Sequence, residues 1–432
     1  MLIGIDDTDS IAGMCTTFIA KELCSKLNVK GFPRLIRLNP NIPYKTRGNG
    51  AIALNVKTNN DDEEIKKIVL ETVEKYAIFE DEKTNPGVVF LEKKNFEDYN
   101  LYTEILQDFY GKAVSELVTI GEALDVAKQV NAQVHKFKNG RGIIGALAAI
   151  GSDLTEDKTY EIIAYRALEN YGTVRKIDTS SVFEMDKKTY PGTFNNVDYD
   201  LNTILILPRG DDPIFCGIRG ESPEIVEMAW KLIKPLEKIE ETLIFETNQG
   251  TDAHLREKKI SEIMPYDCVI VKGTVSENPK NIHRGHVIFK IKHYSREIDC
   301  AAYEETGPFR EIIRKLRIGD NVVVYGGIGK YWGINLEKIQ ILKLKKYYEK
   351  ENPTCKNCKI KMKSEGKNKG FECRKCKRRL PENSAVMKEI KRDLKKGFYE
   401  ATPDARRHLS MPLARSTKNT GKIRSPLDNL NP

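Results

Sequence analysis

No run of about 18 uncharged apolar residues occurs in the chain, which excludes a membrane-spanning helix. No secretory leader is expected either, since MLIGIDDTDS places three acids where a leader would carry positive charge and an apolar stretch. The expectation is a soluble, cytoplasmic protein. Two familiar ATP signatures, G-x-x-x-x-G-K-[ST] and S-G-G-x-D-S, are absent, so any ATP chemistry uses neither loop type. There is no internal repeat, and nothing marks an obligate protein partner. Nine cysteines are present, but Cys15, Cys24, Cys216, Cys268 and Cys300 are scattered through apolar segments. They read as small buried hydrophobes in a reducing compartment, not as a disulfide framework.

At 432 residues the chain exceeds one ordinary core and implies several domains. Its formal charge of +9 is uneven: residues 343–432 hold 26 Lys/Arg against 10 Asp/Glu, leaving a net −7 on residues 1–342. A basic end suits a polyanionic partner, with a solvated tail expected after about Ala401.

Hydrophobic periodicity predicts a β-α-β-β-α-β region over residues 1–100. Its strands fall at Leu2–Ile5, Arg34–Leu38, Ala51–Val56 and Val88–Leu91, and its helices present Ile19, Leu23 and Leu27, then Ile65, Val69, Val73 and Tyr76. Residues 101–262 read as a second α/β region, ferredoxin-like or catalytic, with helices at Tyr102–Tyr110, Ile120–Val130, Tyr160–Tyr171 and Ser222–Leu236. Residues 263–346 show three strands, a helix and two strands, the order of an OB-fold β-barrel. Residues 347–382 form a zinc ribbon joined by a charged linker, and 383–432 a basic tail. The fold class expected is multidomain α/β (α+β with ferredoxin-like elements), an OB barrel and a C-terminal ribbon.

Two motifs carry chemistry. Cys355-x-x-Cys358 and, fourteen residues on, Cys373-x-x-Cys376 supply four thiolates, the tetrahedral set that Zn2+ prefers, with no open position. So short a segment folds on metal binding. Lysines and arginines crowd these knuckles, as phosphate contact would need. His254, His283 and His286 lack such spacing and read as ordinary polar residues. In the first hundred residues, Asp6, Asp7 and Asp9 follow a strand, and Thr16 and Thr17 open the next helix. Acids at a strand end can hold Mg2+, and hydroxyls with free N–H groups at a helix start can meet a phosphate. A turn with acidic helix-capping residues is the alternative.

GIDDTDS with GMCTT, YKTRGNGA (44–51), NGRGIIGALAAIG (139–151), PRGDDPIFCGIRGE (208–221) and TNQGTDAH (247–254) resemble the archaeal 2-agmatinylcytidine synthetase family, over residues 1 to about 380. The resemblance implies an ATP-dependent ligase acting on the wobble cytidine of the isoleucine tRNA with a CAU anticodon. The base's C2 oxygen is phosphorylated, and agmatine's amine then displaces the phosphate. It further implies kinase-like, ferredoxin-like, OB and ribbon domains, with the kinase-like one at residues 1–100. Asp6, Asp7 and Asp9 match the family's acidic motif, which would hold Mg2+ on ATP, and Thr16 matches its phosphorylatable threonine. Lys45, Arg47, Gly48, Gly140, Arg141 and Gly142, with Thr17, would border the nucleotide, although turns explain the glycines equally well. Agmatine needs carboxylates. Asp211, Asp212, Glu221 and Asp252 are the candidates, each with an ion pair to Arg209 or Arg219 as the alternative.

Overall fold

The computed structural model describes residues 1–46, 48–57, 61–92, 99–330 and 332–420. The first elements are β1 (Leu2–Asp6), α1 (Thr16–Lys26), β2 (Arg34–Arg37), β3 (Gly50–Asn55), α2 (Asp62–Tyr76) and β4 (Gly87–Leu91). The four strands lie in the order β4-β1-β3-β2, every neighbour antiparallel. Side-chain alternation makes this sheet two-sided. Val88 and Phe90 join Ile3, Ile5, Ile19 and Val73 on the face under α1 and α2. Val89 and Leu91 point the other way, into a core with Phe109, Ala123 and Leu147. That second core belongs to α3 (Tyr99–Ser115), α4 (Ile120–Gln129) and α5 (Ile143–Ile150), with β5 (Gln133–Lys136) beside β4 at the edge.

The sheet continues through β6 (Thr159–Arg166), α6 (Thr179–Thr189) and β7 (Thr193–Phe194). A hairpin of β8 (Val197–Asp198) and β9 (Thr203–Ile204) stands apart, before β10 (Ile214–Gly220), α7 (Pro223–Leu232) and β11 (Ile239–Thr247). Strand β11 runs parallel to β2 and antiparallel to β6, so both α/β regions share one nine-stranded sheet, β5-β4-β1-β3-β2-β11-β6-β10-β7. The helix expected at Tyr160–Tyr171 is instead the inner strand β6. Tyr and Ile favour strands, and β10 and β11 flank it on both sides. Tertiary pairing overrides a segment whose short apolar run fits either period.

Next come β12 (Arg256–Glu257), β13 (Cys268–Asn281), β14 (Val287–His293), β15 (Arg296–Ala302), α8 (Phe309–Arg314), β16 (Asn321–Ile328) and β17 (Ile334–Lys343). They pair in the order β13-β14-β15-β17-β16, and β16 pairs back to β13, closing a ring of strands around Val271, Phe289, Ile313 and Ile339. The segment expected as a linker holds β18 (Tyr348–Glu351), which pairs with β22 (Val386–Glu389) as a stalk. Between them, β19 (Lys363–Ser364), β20 (Phe371–Glu372) and β21 (Arg379–Leu380) form the ribbon.

The expected solvated tail is corrected up to Ser416. Strand β23 (Gly397–Glu400) adds to β17, and α9 (Leu413–Thr420) follows. Arg415 of α9 is buried and makes paired bonds to Asp157 at 2.5 and 2.7 Å, with an ion pair to Glu221 at 2.9 Å. Arg415 is structural here because it meets carboxylates that flank β6 and β10 of the first sheet. Residues 421–432 lie outside the described residues.

Candidate functional site

Asp6 ends β1, and Asp7 turns the chain with φ of +58°. Helix α5 packs so close beneath that a Cβ on Gly145 would lie 1.9 Å from Asp6 Oδ2, and one on Gly142 2.4 Å from the Asp6 carbonyl oxygen. Only glycine allows the carboxylate this seat. Burial, then the like charges of Asp7 and Asp9, push the Asp6 carboxyl well above the usual carboxylate range. Burial raises Asp7 to about 6 although Arg141 opposes the shift. Arg141 binds Asp7 in fork fashion, Nε and Nη2 each 2.9 Å from an oxygen, and Nη2 also reaches the Lys83 carbonyl at 2.7 Å. Thr46 Oγ1 is 3.4 Å from Asp7 Oδ1.

Asp9 Oδ1 accepts the Thr16 backbone N–H at 2.8 Å and the Thr16 hydroxyl at 3.1 Å, while the Thr8 hydroxyl donates to Thr16 Oγ1 at 3.0 Å. The capping alternative therefore describes Asp9, which satisfies the start of α1, and not Asp6 or Asp7. Asp6, Asp7 and Asp9 line one pocket with Lys45 and Arg141, its apolar side formed by Leu38, Ile42 and Val118. The Lys45 amine donates to the Pro40 carbonyl, and burial lowers its pKa to about 8.

A second, larger cleft opens on the other side of Asp9. Thr16, Thr17, Gly48, Asp212 and Glu161 line it, and the segment Pro403–His408 closes one wall. Several of its residues escape a reading of the sequence. Glu161, the one acid in β6, is buried and accepts from Gln249 Nε2 at 2.5 Å and Arg219 Nε at 3.1 Å, with Arg37 3.9 Å away. A charge inside the apolar run Tyr-Glu-Ile-Ile-Ala was the available signal. Arg407 and His408 carried none, because they reach the cleft only through the folded tail.

Other expected residues fall out differently. Gly140 has φ of +73° and makes a turn, and Gly142 serves helix packing. Arg47 lies outside the described residues. Of the four carboxylates considered for agmatine, Asp212 lines the cleft but is paired to Arg175 at 2.9 Å, and Asp211 is exposed on the neighbouring loop. Glu221 pairs with Arg415, and Asp252 with Lys338 and the Met411 N–H, so both fasten the C-terminal segment. Neither lines the larger cleft. Arg209 and Arg219, the partners expected, bind Asp404 and Glu161 instead. His254 is fully buried, 3.1 Å from Glu337.

In the ribbon, the sulfur atoms of Cys355, Cys358, Cys373 and Cys376 all lie within 4.8 Å of one another. The two knuckles repeat the same turn. Lys359 N donates to Cys355 O at 2.8 Å and Lys377 N to Cys373 O at 2.9 Å, with φ of +55° and +59° at the two lysines. Four convergent thiolates suit tetrahedral Zn2+. Among the described residues no other group of three or more candidate ligands is so tightly gathered.

Family models for three domains match the chain: the TiaS TCKD domain over residues 2–139, the TiaS FLD domain over 140–254 and the TiaS C-terminal zinc ribbon over 352–394. The isoleucine-tRNA 2-agmatinylcytidine synthetase TiaS of Methanocaldococcus jannaschii is 47% identical, covering 96% of this chain and 98% of its own length. A solved complex of TiaS with its isoleucine tRNA and ATP is 42% identical with a TM-score of 0.86, covering 96% of this chain and 97% of that one. A complex of TiaS with that tRNA, AMPCPP and agmatine is 40% identical with a TM-score of 0.83, covering 96% of each chain. With matching domains, near-complete coverage and a shared fold, this chain belongs to the TiaS family.

Proposed function

We infer that the chain is an ATP-dependent ligase that joins agmatine to C2 of the wobble cytidine in the CAU anticodon of the minor isoleucine tRNA, forming agmatidine. Its relatives carry that name, and related structures hold tRNA, ATP and agmatine. A pyrimidine C2 oxygen leaves poorly until it is phosphorylated. Once the oxygen has taken a phosphoryl group from ATP, the amine of agmatine attacks C2. The C2–O bond then breaks, phosphate departs with the oxygen, and the nitrogen gives up a proton.

The observation that carries the residue-level reading is the place of Asp9, which lines both the acidic pocket and the larger cleft. We assign ATP to the acidic pocket, where Asp6, Asp7 and Asp9 would hold Mg2+, which would supply charge neutralisation for the transferring phosphoryl group. Lys45 and Arg141 add positive charge there, and Arg141 fixes Asp7 by its fork. The Thr16 hydroxyl, held by Asp9, faces the larger cleft, where a hydroxyl can take or relay a phosphoryl group. The base and agmatine belong to that cleft, with Asp212 the candidate carboxylate for agmatine. The ring has the element order of an OB fold, and we read it with the basic ribbon as the grip on tRNA. The setting is cytoplasmic on this reading.

Incubation with ATP, labelled agmatine and the CAU-anticodon isoleucine tRNA tests it. Label should pass to the RNA and require ATP. Binding of that RNA without any transfer would contradict the assignment.

A further inference from the structure

Part of the larger cleft gathers positive charge around one residue, His408. Arg37, Arg219 and Arg407 line the cleft with His408, and the charge of Lys45 in the acidic pocket also reaches it. Among the described residues their ion pairs reach one carboxylate, Glu161, shared by Arg37 and Arg219. The Arg37 Nε is buried without a hydrogen-bond partner, and Arg407 is exposed, its guanidinium making no hydrogen bond among the described residues. Like charges this close repel, and the chain orders them nonetheless. The Gly250 N–H donates to the His408 carbonyl and the Asp252 N–H to the Leu409 carbonyl, each at 2.8 Å, pinning the segment to the loop after β11.

We propose that Arg37, Arg219, Arg407 and His408 form a binding site for a phosphodiester of the RNA strand beside the modified cytidine. This rests on the functional reading above. Guanidinium groups suit phosphate because their planar donors meet two oxygens at once. Two anionic substrates must be held, and two sites exist. The pocket with Asp6 and Asp7 suits a metal-bound triphosphate, whereas Asp6 and Asp7 do not line the larger cleft. His408 lines the cleft, where desolvation and then the surrounding cations push its imidazole below the ordinary range. An imidazole N–H at this place can donate a hydrogen bond to a phosphate oxygen. Arg407 and His408 follow shortly after β23, which pairs with the ring strand that leads to the ribbon stalk. The same stretch of backbone thus links the proposed grip on tRNA to the seat of the target nucleotide.

The test uses the full chain and a tRNA assembled from two strands, so that a neutral methylphosphonate replaces the phosphodiester on one side or the other of the target cytidine. At one of the two positions the replacement should raise the wild-type KM for RNA about tenfold, the loss expected for a charge-assisted contact. Arg407→Ala on natural RNA should do the same, with kcat and the KM for ATP unchanged and Arg407→Lys recovering part of the loss. Variant and methylphosphonate together should cost no more than either alone, because both remove one interaction. Losses that multiply would overturn the proposal, as would a raised KM for ATP with the RNA value intact, which would make this a triphosphate site. Equilibrium RNA binding by the same combinations decides the matter even if natural tRNA receives no agmatine, an outcome that would count against the functional reading alone.

Discussion

The ribbon and the larger cleft, the proposed grip and the proposed reaction site, are assembled on opposite plans. The ribbon takes its four thiolates from residues 355 to 376, and its small core is Met362 and Phe371 packed against the cysteines. The cleft takes Asp9, Arg37, Glu161, Asp212 and His408 from distant parts of the chain. A local site stabilised by metal can be lost without its neighbours. A site built by tertiary structure fails when any supporting segment moves. The two plans therefore predict different consequences of mutation.

The largest effect should come from the acidic pocket. Asp7→Asn is expected to lower agmatine transfer by about 10^3-fold, the scale of losing a group that places charge at the reacting phosphoryl, while RNA binding by filter retention stays unchanged. Equal loss of both would erase the division of labour. Gly145→Ala comes next. Its Cβ would strike Asp6 Oδ2, and displacing a catalytic carboxylate by about an ångström should cost roughly 10^2-fold in kcat. A fully active variant would show that Asp6 needs no fixed seat.

The first effect concerns a feature that a local pattern exposed, whereas the second depends on α5 packing under Asp6, which no local pattern marks. The DDTDS string, the cysteine spacing and the first four strands were legible because each is encoded within a few residues. The strand β6 was not, since Tyr160–Tyr171 fits either period and only its neighbours β10 and β11 decide. Glu221 and Asp252 sit in distinctive motifs yet hold Arg415 and Lys338, partners that come from remote elements. Arg407 and His408 looked like part of a basic tail for the same reason. What sequence hides here is long-range pairing, and the cleft consists of it.

Two smaller effects sharpen this point. Arg415→Ala removes a buried guanidinium shared by Asp157 and Glu221. Both acids are partly solvated, so the loss should be about 2 kcal/mol in denaturant unfolding; no change would mean that α9 is not part of the fold's support. Lys45→Met should act in the opposite direction. Burial sets the Lys45 pKa at about 8 in the fold, below its unfolded value. Between the two values the unfolded chain binds more protons, so stability rises with pH across that window. Below pH 8 both states are charged and the fold bears the whole cost of burying the ammonium. The Met variant should then be more stable at pH 7 by about 1 kcal/mol, after allowance for partial exposure. That advantage should shrink as pH rises toward 10, and one that stayed constant with pH would point to packing instead.

The division between grip and chemistry is tested most directly by single-turnover agmatine transfer with Cys373→Ser, after metal analysis confirms that zinc is lost. At limiting tRNA the variant should be slow. At saturating tRNA its rate should return to within a few-fold of wild type, because Asp6, Asp7, Asp9 and Thr16 are untouched. A rate at saturation as depressed as that of Asp7→Asn would contradict the account and place the ribbon within the chemistry itself.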